Sequence, residues 1–413
     1  ASGLIRIGEA AQRISRGDAD RGVATAASGP CVRQNLVAVR EGVGVMGKER
    51  AAVLGVGQTK YDTTYPGSMA GMLREAATNA LEMSGKGWDD IDAVIMGKAP
   101  DFFEGVMMPE VYLAEALGCV GKPIMRVHTA GSVGGSTACV ATSMIQSGVH
   151  ETVLTIGWEK QSESNAMWAL SLPQPFATSV NAGAGGYFSP IIRRYMMMTE
   201  APELIGCMVA LKDRKHALNN PYAHLHQPDL TFEQVVESPM LWDPIRYSET
   251  CPSSDGACAI VLGSEKVAEA HDGPVAWIKG IAMRSESGSF AGRNMVSPAA
   301  SEACADDVFA QAGIHDRRKE IDAVEMYVPF SWYEPMWLES LGFAEKGQGW
   351  RMVEEGATSI DGGDLPVNCS GGVLSSNPIG ASGMIRFGEA ALQVMGLAGD
   401  QQVDGAKLSL IHI

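Results

Sequence analysis

Short apolar runs alternate with longer segments of helical character along most of the chain. Residues 51–59, 151–158 and 257–264 are each dominated by apolar residues, as strands buried on both faces are. Residues 134–148 and 380–396 are longer, rich in small and apolar residues, and end at a glycine, which predicts helices. Strands that alternate with helices in this way predict an α/β fold.

One unit of this pattern occurs twice. Residues 91–100 read IDAVIMGKAP and residues 321–330 read IDAVEMYVPF, and each run follows a helical segment that ends in a small turn. The repeated helix–turn–strand unit predicts an internal duplication, with residues 275–283 opening the second half. Residues 160–250 have few strand signals and many Met, Trp, Pro and His residues, so we expect an inserted cap or loop region there, a common position for a binding site.

A second repeat joins the two ends of the chain. Residues 1–11, ASGLIRIGEAA, are identical to residues 381–391, ASGMIRFGEAA, at nine of eleven positions. No third copy lies between them, which disfavours a tandem array. We therefore predict that residues 1–45 are the C-terminal fragment of a second related protein. They precede a main body with an N-terminal half at 46–270 and a C-terminal half at 271–413.

Composition excludes several classes of function. The net charge is −16 with a pI of about 5.0, and no basic stripe typical of nucleic-acid binding is visible. No apolar run is long enough to span a membrane, and no signal or transit peptide is recognisable. The eight cysteines lack paired spacing, which favours reduced thiols in a cytoplasmic protein. His224 and His226 with Asp229 lack a clear third ligand, so we expect a hydrogen-bonded pair and no metal site.

Three glycine-rich turns are candidates for a ligand site: residues 128–137, 327–335 and 368–383. Small residues let the backbone approach a ligand, and a helix N-terminus stabilises negative charge. Each turn taken alone also fits a tight crossing of a helix and a strand. The first turn contains Ser132 but has neither P-loop spacing nor G-x-S-x-G.

The order of the turns is more specific than any one of them. The segments RVHTAGSVGGST, LWDPIRYSETCPSSDGACAIVL, EMYVPFSWYEPMWLESLGF and PVNCSGGVLSSNPIGASG lie where the thiolase superfamily has its landmarks. Over about residues 48–402 the chain resembles the sterol-carrier and lipid-transfer branch of that superfamily, in particular actinobacterial lipid-transfer proteins of steroid side-chain breakdown. The resemblance implies a five-layer αβαβα fold of two βαβαβαββ halves. It also implies acyl-CoA ligands and a homo- or hetero-dimer with a thiolase-like subunit.

The chain departs from this family where the family's covalent chemistry resides. The family's nucleophilic cysteine aligns with Gly131, and two of its histidines align with Tyr327 and Asn377. An acyl-enzyme needs a nucleophile, which glycine lacks, and the adjacent Ser132 would need an activating base.

The ends of the chain depart from the family too. After about Val403 the C-terminal half lacks the family's closing strands and C-terminal cysteine, whereas residues 20–42 resemble such strands at the wrong end of the chain. One hypothesis is that this N-terminal segment occupies the vacant edge, as in a circular permutation. The alternative is a loosely attached remnant, and limited proteolysis distinguishes the two by whether residues 1–42 are lost rapidly.

A reaction that needs no acyl-enzyme fits these departures. Retro-aldol cleavage of a bulky β-hydroxyacyl-CoA requires a group that takes the hydroxyl proton and donors that hold the thioester enolate. Tyr327, with a phenol activated by local burial or charge, is the candidate for the first role, and Asn377 for the second. The residues expected to contact the CoA-bearing ligand are Gly131, Ser132, Gly134, Gly380 and Ser382. No bound cofactor is expected, since coenzyme A enters as part of the substrate. The resemblance further implies a small OB-fold partner, because some steroid side-chain aldolases of the family need one.

Two other functions remain open at this point. The first is acyl-CoA acyltransferase activity, with Ser132 as its only nucleophile candidate. The second is a non-catalytic subunit that binds lipid or acyl-CoA beside an active thiolase.

Overall fold

The computed structural model describes residues 2–16, 21–28, 33–40, 49–99, 103–164, 183–286 and 293–412. These residues form two compact units, Ala1–Lys48 and Glu49–Ile413. The first unit contains helix α1 (Ser2–Ser15) and an antiparallel hairpin of strands β1 (Arg21–Ser28) and β2 (Arg33–Arg40).

The second unit contains the remaining ten strands and twelve α-helices of the described residues. Its strands are β3 (Ala51–Gln58), β4 (Ala93–Lys98), β5 (Ile124–Val127), β6 (Thr152–Lys160), β7 (Met240–Trp242), β8 (Ile245–Arg246), β9 (Asp255–Ser264), β10 (Ala276–Trp277), β11 (Ala323–Met326) and β12 (Ser409–His412). Its helices are α2 (Met69–Ser84), α3 (Val133–Gln146), α4 (Gly183–Thr199), α5 (Ile205–His216), α6 (Phe232–Val236), α7 (Glu265–Glu269), α8 (Ala299–Ala312), α9 (Arg317–Glu320), α10 (Tyr333–Ser340), α11 (Gly349–Glu354), α12 (Gly372–Ser375) and α13 (Ile379–Met395).

The first half of the second unit is built on a six-stranded mixed sheet in the order β10-β3-β9-β6-β4-β5. Strand β4 is parallel to β5 and β6, whereas β9 runs antiparallel to β3 and β6. Alternate residues of each strand face two different cores: in β9, Cys258 and Ile260 face one, and Ala259 and Val261 face the other. The three strands predicted from apolar runs are therefore confirmed as strands buried on both faces.

Helices cover both faces of this sheet, and a second sheet follows. Helix α2 packs on one face, while α3 and α13 pack on the other. The parallel pair β11–β12 contacts the far side of α13, and α8 and α10 share a third core with that pair. The order helix, sheet, helix, sheet, helix confirms the expected five-layer thiolase fold. The repeated helix–turn–strand unit is α2 with β4 in one half and α8 with β11 in the other.

Two regions differ from expectation. The described part of residues 160–250 contains the α-helices α4, α5 and α6 and the β7–β8 hairpin, and Ile192 and Val209 lie in one core with Trp332. This region is therefore an integral part of the second half's core. Of residues 275–283, only Ala276–Trp277 form a strand, which pairs with β3 of the first-half sheet because that edge is open.

Among the described residues, no helix combines the length and the apolar character needed to cross a membrane.

Candidate functional site

Each of the three glycine-rich turns leads into a helix. The first follows β5 and enters α3 at Val133, and the second follows β11 and enters α10 at Tyr333. The third contains α12 and enters α13 at Ile379. The first and third turns meet where α3 and α13 cross, in the layer between the two sheets.

The segment 250–254, just before β9, joins the second turn to the third. The backbone N–H of Cys251 donates to the carbonyl oxygen of Pro329 at 3.0 Å. The backbone N–H of Asn377 donates to Ser254 Oγ at 3.1 Å. Two turns that lie far apart in sequence are thus held against the same short segment.

The side-chain amide of Asn377 is held in one orientation. Its Oδ1 accepts from Ser382 Oγ at 2.7 Å, and its Nδ2 donates to Cys251 Sγ at 3.1 Å. Asn377 is only 4% exposed, and the second N–H of Nδ2 has no partner among the described residues. This N–H is the one that the donor role expected for Asn377 would use, and that role stays a prediction.

Tyr327 begins the second turn, whose Pro329 accepts from the Cys251 backbone N–H. The Tyr327 backbone N–H donates to the His412 carbonyl at 2.9 Å, and Trp337 Nε1 donates to the Tyr327 carbonyl at 2.9 Å. Its hydroxyl has no hydrogen-bond partner in the described part of the chain. Burial, with a smaller contribution from the nearby Cys251 thiol, raises the pKa of Tyr327. Activation of the phenol by burial was therefore the wrong expectation, because loss of solvent disfavours the phenolate.

Cys251 is a site residue that the sequence did not single out. Its side chain is half-buried between the second and third turns. Burial raises the pKa of the Cys251 thiol to about 11, although the amide of Asn377 and the guanidinium of Arg214 act in the opposite direction. The thiol is consequently neutral near pH 7. The available signal was its place in the landmark segment that ends in β9, directly before Pro252.

The first turn has room for a side chain that the chain does not supply. A Cβ at Gly131 would meet nothing within 4 Å, and the preceding Ala130 has a left-handed φ of 53°. The exposed Ser132 donates its hydroxyl to the Thr129 carbonyl oxygen at 2.9 Å. No imidazole or carboxylate among the described residues is hydrogen-bonded to Ser132, so its hydroxyl has no activating base.

Gly134 and Gly380 lie where protein backbone approaches closely. A Cβ at Gly134 would be 2.7 Å from the backbone N of Gly383, so glycine allows α3 and α13 to cross. A Cβ at Gly380 would be 2.9 Å from Glu159 Oε2, an atom that also accepts from the Ala99 N–H at 3.0 Å. Desolvation raises the pKa of the fully buried Glu159 well above its usual range. Close packing is therefore sufficient to explain why positions 134 and 380 are glycine. A role of these two glycines in ligand binding stays a prediction.

The histidine pair is hydrogen-bonded within the protein. His224 Nδ1 lies 2.9 Å from Ser254 Oγ, and His226 Nε2 lies 2.7 Å from the Asn220 carbonyl oxygen. In the described ranges, no group of three or more His, Cys, Asp or Glu side chains is placed to hold a metal ion.

Comparison with known proteins places this chain in a family. The chain is 30% identical over 370 residues to an acetyl-CoA acetyltransferase of Methanothermobacter thermautotrophicus, covering 87% of this chain and 95% of that protein. The chain belongs to the thiolase superfamily. Its residues 282–413 match the family described as thiolase C-terminal domain-like. Bovine sterol carrier protein 2 is 28% identical over 396 residues, covering 88% of this chain and 70% of the relative, which supports the lipid-transfer branch of the thiolase superfamily.

Solved structures agree on the thiolase fold. The Ltp2-ChsH2(DUF35) aldolase matches with a TM-score of 0.77 at 24% identity, covering 89% of this chain and 95% of that one. Human mitochondrial 3-ketoacyl-CoA thiolase in complex with CoA matches with a TM-score of 0.63 at 16% identity, covering 85% and 93%. Within this shared fold, Cys251 contacts Asn377 and its backbone is bonded to the turn of Tyr327, and the first turn has a glycine at position 131.

Proposed function

We propose that the protein cleaves a carbon–carbon bond of a bulky β-hydroxyacyl-CoA, with a steroid or other lipid acyl group, by a retro-aldol reaction without a covalent intermediate. The observation that carries the proposal is Gly131. A covalent acyl-enzyme needs a nucleophile at this turn, yet position 131 has no side chain and Ser132 has no base.

In the proposed reaction, Tyr327 takes the proton of the substrate hydroxyl and Asn377 stabilises the enolate. The substrate hydroxyl loses its proton, the bond between the α- and β-carbons breaks, and its electron pair forms the thioester enolate. The free N–H of Asn377 donates to the enolate oxygen, where charge develops. The raised pKa keeps the Tyr327 phenol neutral, and a neutral phenol is a poor base. Tyr327 therefore accepts the proton of the substrate hydroxyl while it gives up its own phenolic proton. The proton finally returns to the α-carbon, and the products are a ketone and a shortened acyl-CoA.

The experiment is product analysis by mass spectrometry after incubation of the full chain with bulky β-hydroxyacyl-CoA. A parallel reaction contains β-ketoacyl-CoA with free CoA. We expect a ketone and a shortened acyl-CoA from the hydroxy substrate only. Tyr327→Phe should lower kcat by about 100- to 10,000-fold, the usual range for a proton-transfer group. Tyr247→Phe is the matched control, because Tyr247 is exposed and outside the relay. Cleavage of the keto substrate alone would overturn the proposal in favour of acyl transfer.

A partner protein is part of the same proposal. The Ltp2-ChsH2(DUF35) aldolase is named for two components, and a 26% identical relative, BbsB of Thauera aromatica, is called a thiolase subunit. We therefore expect this chain to assemble as a homo- or hetero-dimer with a thiolase-like subunit and to bind a small OB-fold protein. Co-expression with neighbouring reading frames, followed by size-exclusion chromatography, tests the assembly. Activity that appears only in a complex with a cysteine-bearing thiolase, and stays unchanged by Tyr327→Phe, would favour the non-catalytic subunit.

A further inference from the structure

Cys251 occupies a position that the proposed chemistry has not yet used. It is the side chain that Asn377 Nδ2 contacts, and it lies close enough to Tyr327 to raise the pKa of that phenol. Its backbone N–H donates to the Pro329 carbonyl oxygen at 3.0 Å, which fixes its segment against the second turn. The thiol therefore contacts the group expected to hold the enolate oxygen, and its backbone is bonded to the turn that contains Tyr327.

The surroundings of Cys251 keep its thiol protonated, but they also include groups that stabilise the thiolate. Apolar burial is the largest influence on the thiol, while the Asn377 amide and the Arg214 guanidinium favour the thiolate. Arg214 is anchored beside it by a 3.3 Å hydrogen bond from Nη2 to the Thr250 carbonyl oxygen. Such a thiol carries a proton at neutral pH and has groups ready to stabilise the thiolate that forms when the proton leaves.

We infer that Cys251 is a further catalytic residue, the acid that returns the proton to the α-carbon of the enolate. The inference rests on the proposed retro-aldol function. The thiol proton moves to the α-carbon, the hydroxyl proton moves to Tyr327 Oη, and the phenol proton passes to water. Water in turn reprotonates Cys251 Sγ, because the phenol and the thiol share no hydrogen bond. The electron pair of the broken carbon–carbon bond becomes the new C–H bond, and the hydroxyl electron pair becomes the ketone π bond. The relay ends with the phenol and the thiol in their starting protonation states.

Hydrogen exchange at the α-carbon isolates this step from carbon–carbon cleavage. Acetyl-CoA and propionyl-CoA are incubated with the protein in D₂O, and deuterium incorporation is followed by NMR and mass spectrometry. We expect wild type to exchange the α-hydrogens. Cys251→Ala should lower the exchange rate by at least about 100-fold, the lower end of the effect of a general acid. Cys304→Ala on α8 is the matched control and should leave exchange unchanged.

Cys251→Ser separates catalysis from positioning. A serine oxygen still accepts the Asn377 N–H and keeps the amide in place, but its hydroxyl is a much weaker acid than a thiol. We expect Cys251→Ser to lose most of the exchange rate while binding acyl-CoA as wild type does. Exchange at the wild-type rate in Cys251→Ser, or in Cys251→Ala, would overturn the inference.

The two proposals fail in different ways. If wild type and both Cys251 variants cleave β-hydroxyacyl-CoA at the same rate, the proposed function is supported and the role of Cys251 is contradicted. Exchange that depends on Cys251, without cleavage of any β-hydroxyacyl-CoA, supports Cys251 and overturns the retro-aldol reaction. Wild type that neither exchanges nor cleaves contradicts both.

Discussion

Helix α1 contains its copy of the repeat from Ser2 onward and α13 contains the other copy, and the two copies lie in opposite environments. In α1, Leu4 is 76% and Ile5 is 60% exposed, whereas the matching Met384 and Ile385 of α13 are 0% and 1% exposed. Both segments are helical. The comparison shows that local propensity is sufficient to specify the helix, while burial depends on the layers that neighbouring segments supply.

The polar and small residues of the repeat differ in the same way. Glu9 is exposed, but Glu389 is buried and accepts from Gln58 Nε2 at 2.9 Å. A Cβ at Gly8 would meet nothing within 4 Å, while one at Gly388 would lie 2.7 Å from Val56 Cγ1. Identical residues therefore have different roles, and substitutions at matched positions measure the difference.

The largest contrast is expected for the apolar pair Leu4 and Met384. Met384→Ala should lower the free energy of unfolding by about 2–5 kcal/mol, because it leaves a cavity between α13 and the first-half sheet. Leu4→Ala should change it by less than about 0.5 kcal/mol, as exposed substitutions do. Urea unfolding followed by circular dichroism measures both, and a large loss in Leu4→Ala would show that α1 is covered in solution.

The next contrast concerns pH. Desolvation, followed by the nearby Glu325 carboxylate, raises the pKa of Glu389 to about 7. A carboxylic acid whose pKa is higher in the folded protein than in the unfolded protein contributes its full stability below the unfolded pKa. This stability is lost as the pH rises through the pKa of the folded protein. Wild type should therefore lose on the order of 1–3 kcal/mol relative to Glu389→Gln between about pH 4.5 and 7.5. Melting temperatures over this range test it, with Glu9→Gln as the control that should follow wild type at every pH.

The smallest contrast is expected for the glycine pair Gly8 and Gly388, where substitution by alanine should change stability in opposite directions. Gly8→Ala should stabilise α1 by about 0.5–1 kcal/mol, because alanine has the higher helix propensity and the space is open. Gly388→Ala should destabilise the second unit by about 1–3 kcal/mol, since its methyl group meets the stiff Val56 side chain. Hydrogen–deuterium exchange of residues 2–15 reads out the first change and thermal unfolding the second. Equal signs for the two variants would contradict the comparison.

Much of the fold was predictable because its signals are local. Apolar runs marked β3, β6 and β9, and glycine endings marked α3 and α13. The helices in 160–250 were not recognised as core, because Ile192 and Val209 acquire their partners from the distant second half.

The candidate site was predictable in part for the same reason. Asn377 follows from the resemblance of its turn to the family. Cys251 does not, because its contact with Asn377 joins residues 126 positions apart. No periodicity along the chain encodes such a pair.

The sequence by itself determined the α/β alternation, the helical repeat, and the lack of a thiol nucleophile at Gly131, since these depend on residue type and short-range order. Only the tertiary structure decided which copy of the repeat is buried. It also decided that Asn377 is clamped between Ser382 and Cys251, and that Tyr327 keeps its proton. The physical reason is that burial and the pKa of a side chain depend on solvent exclusion by groups remote in sequence.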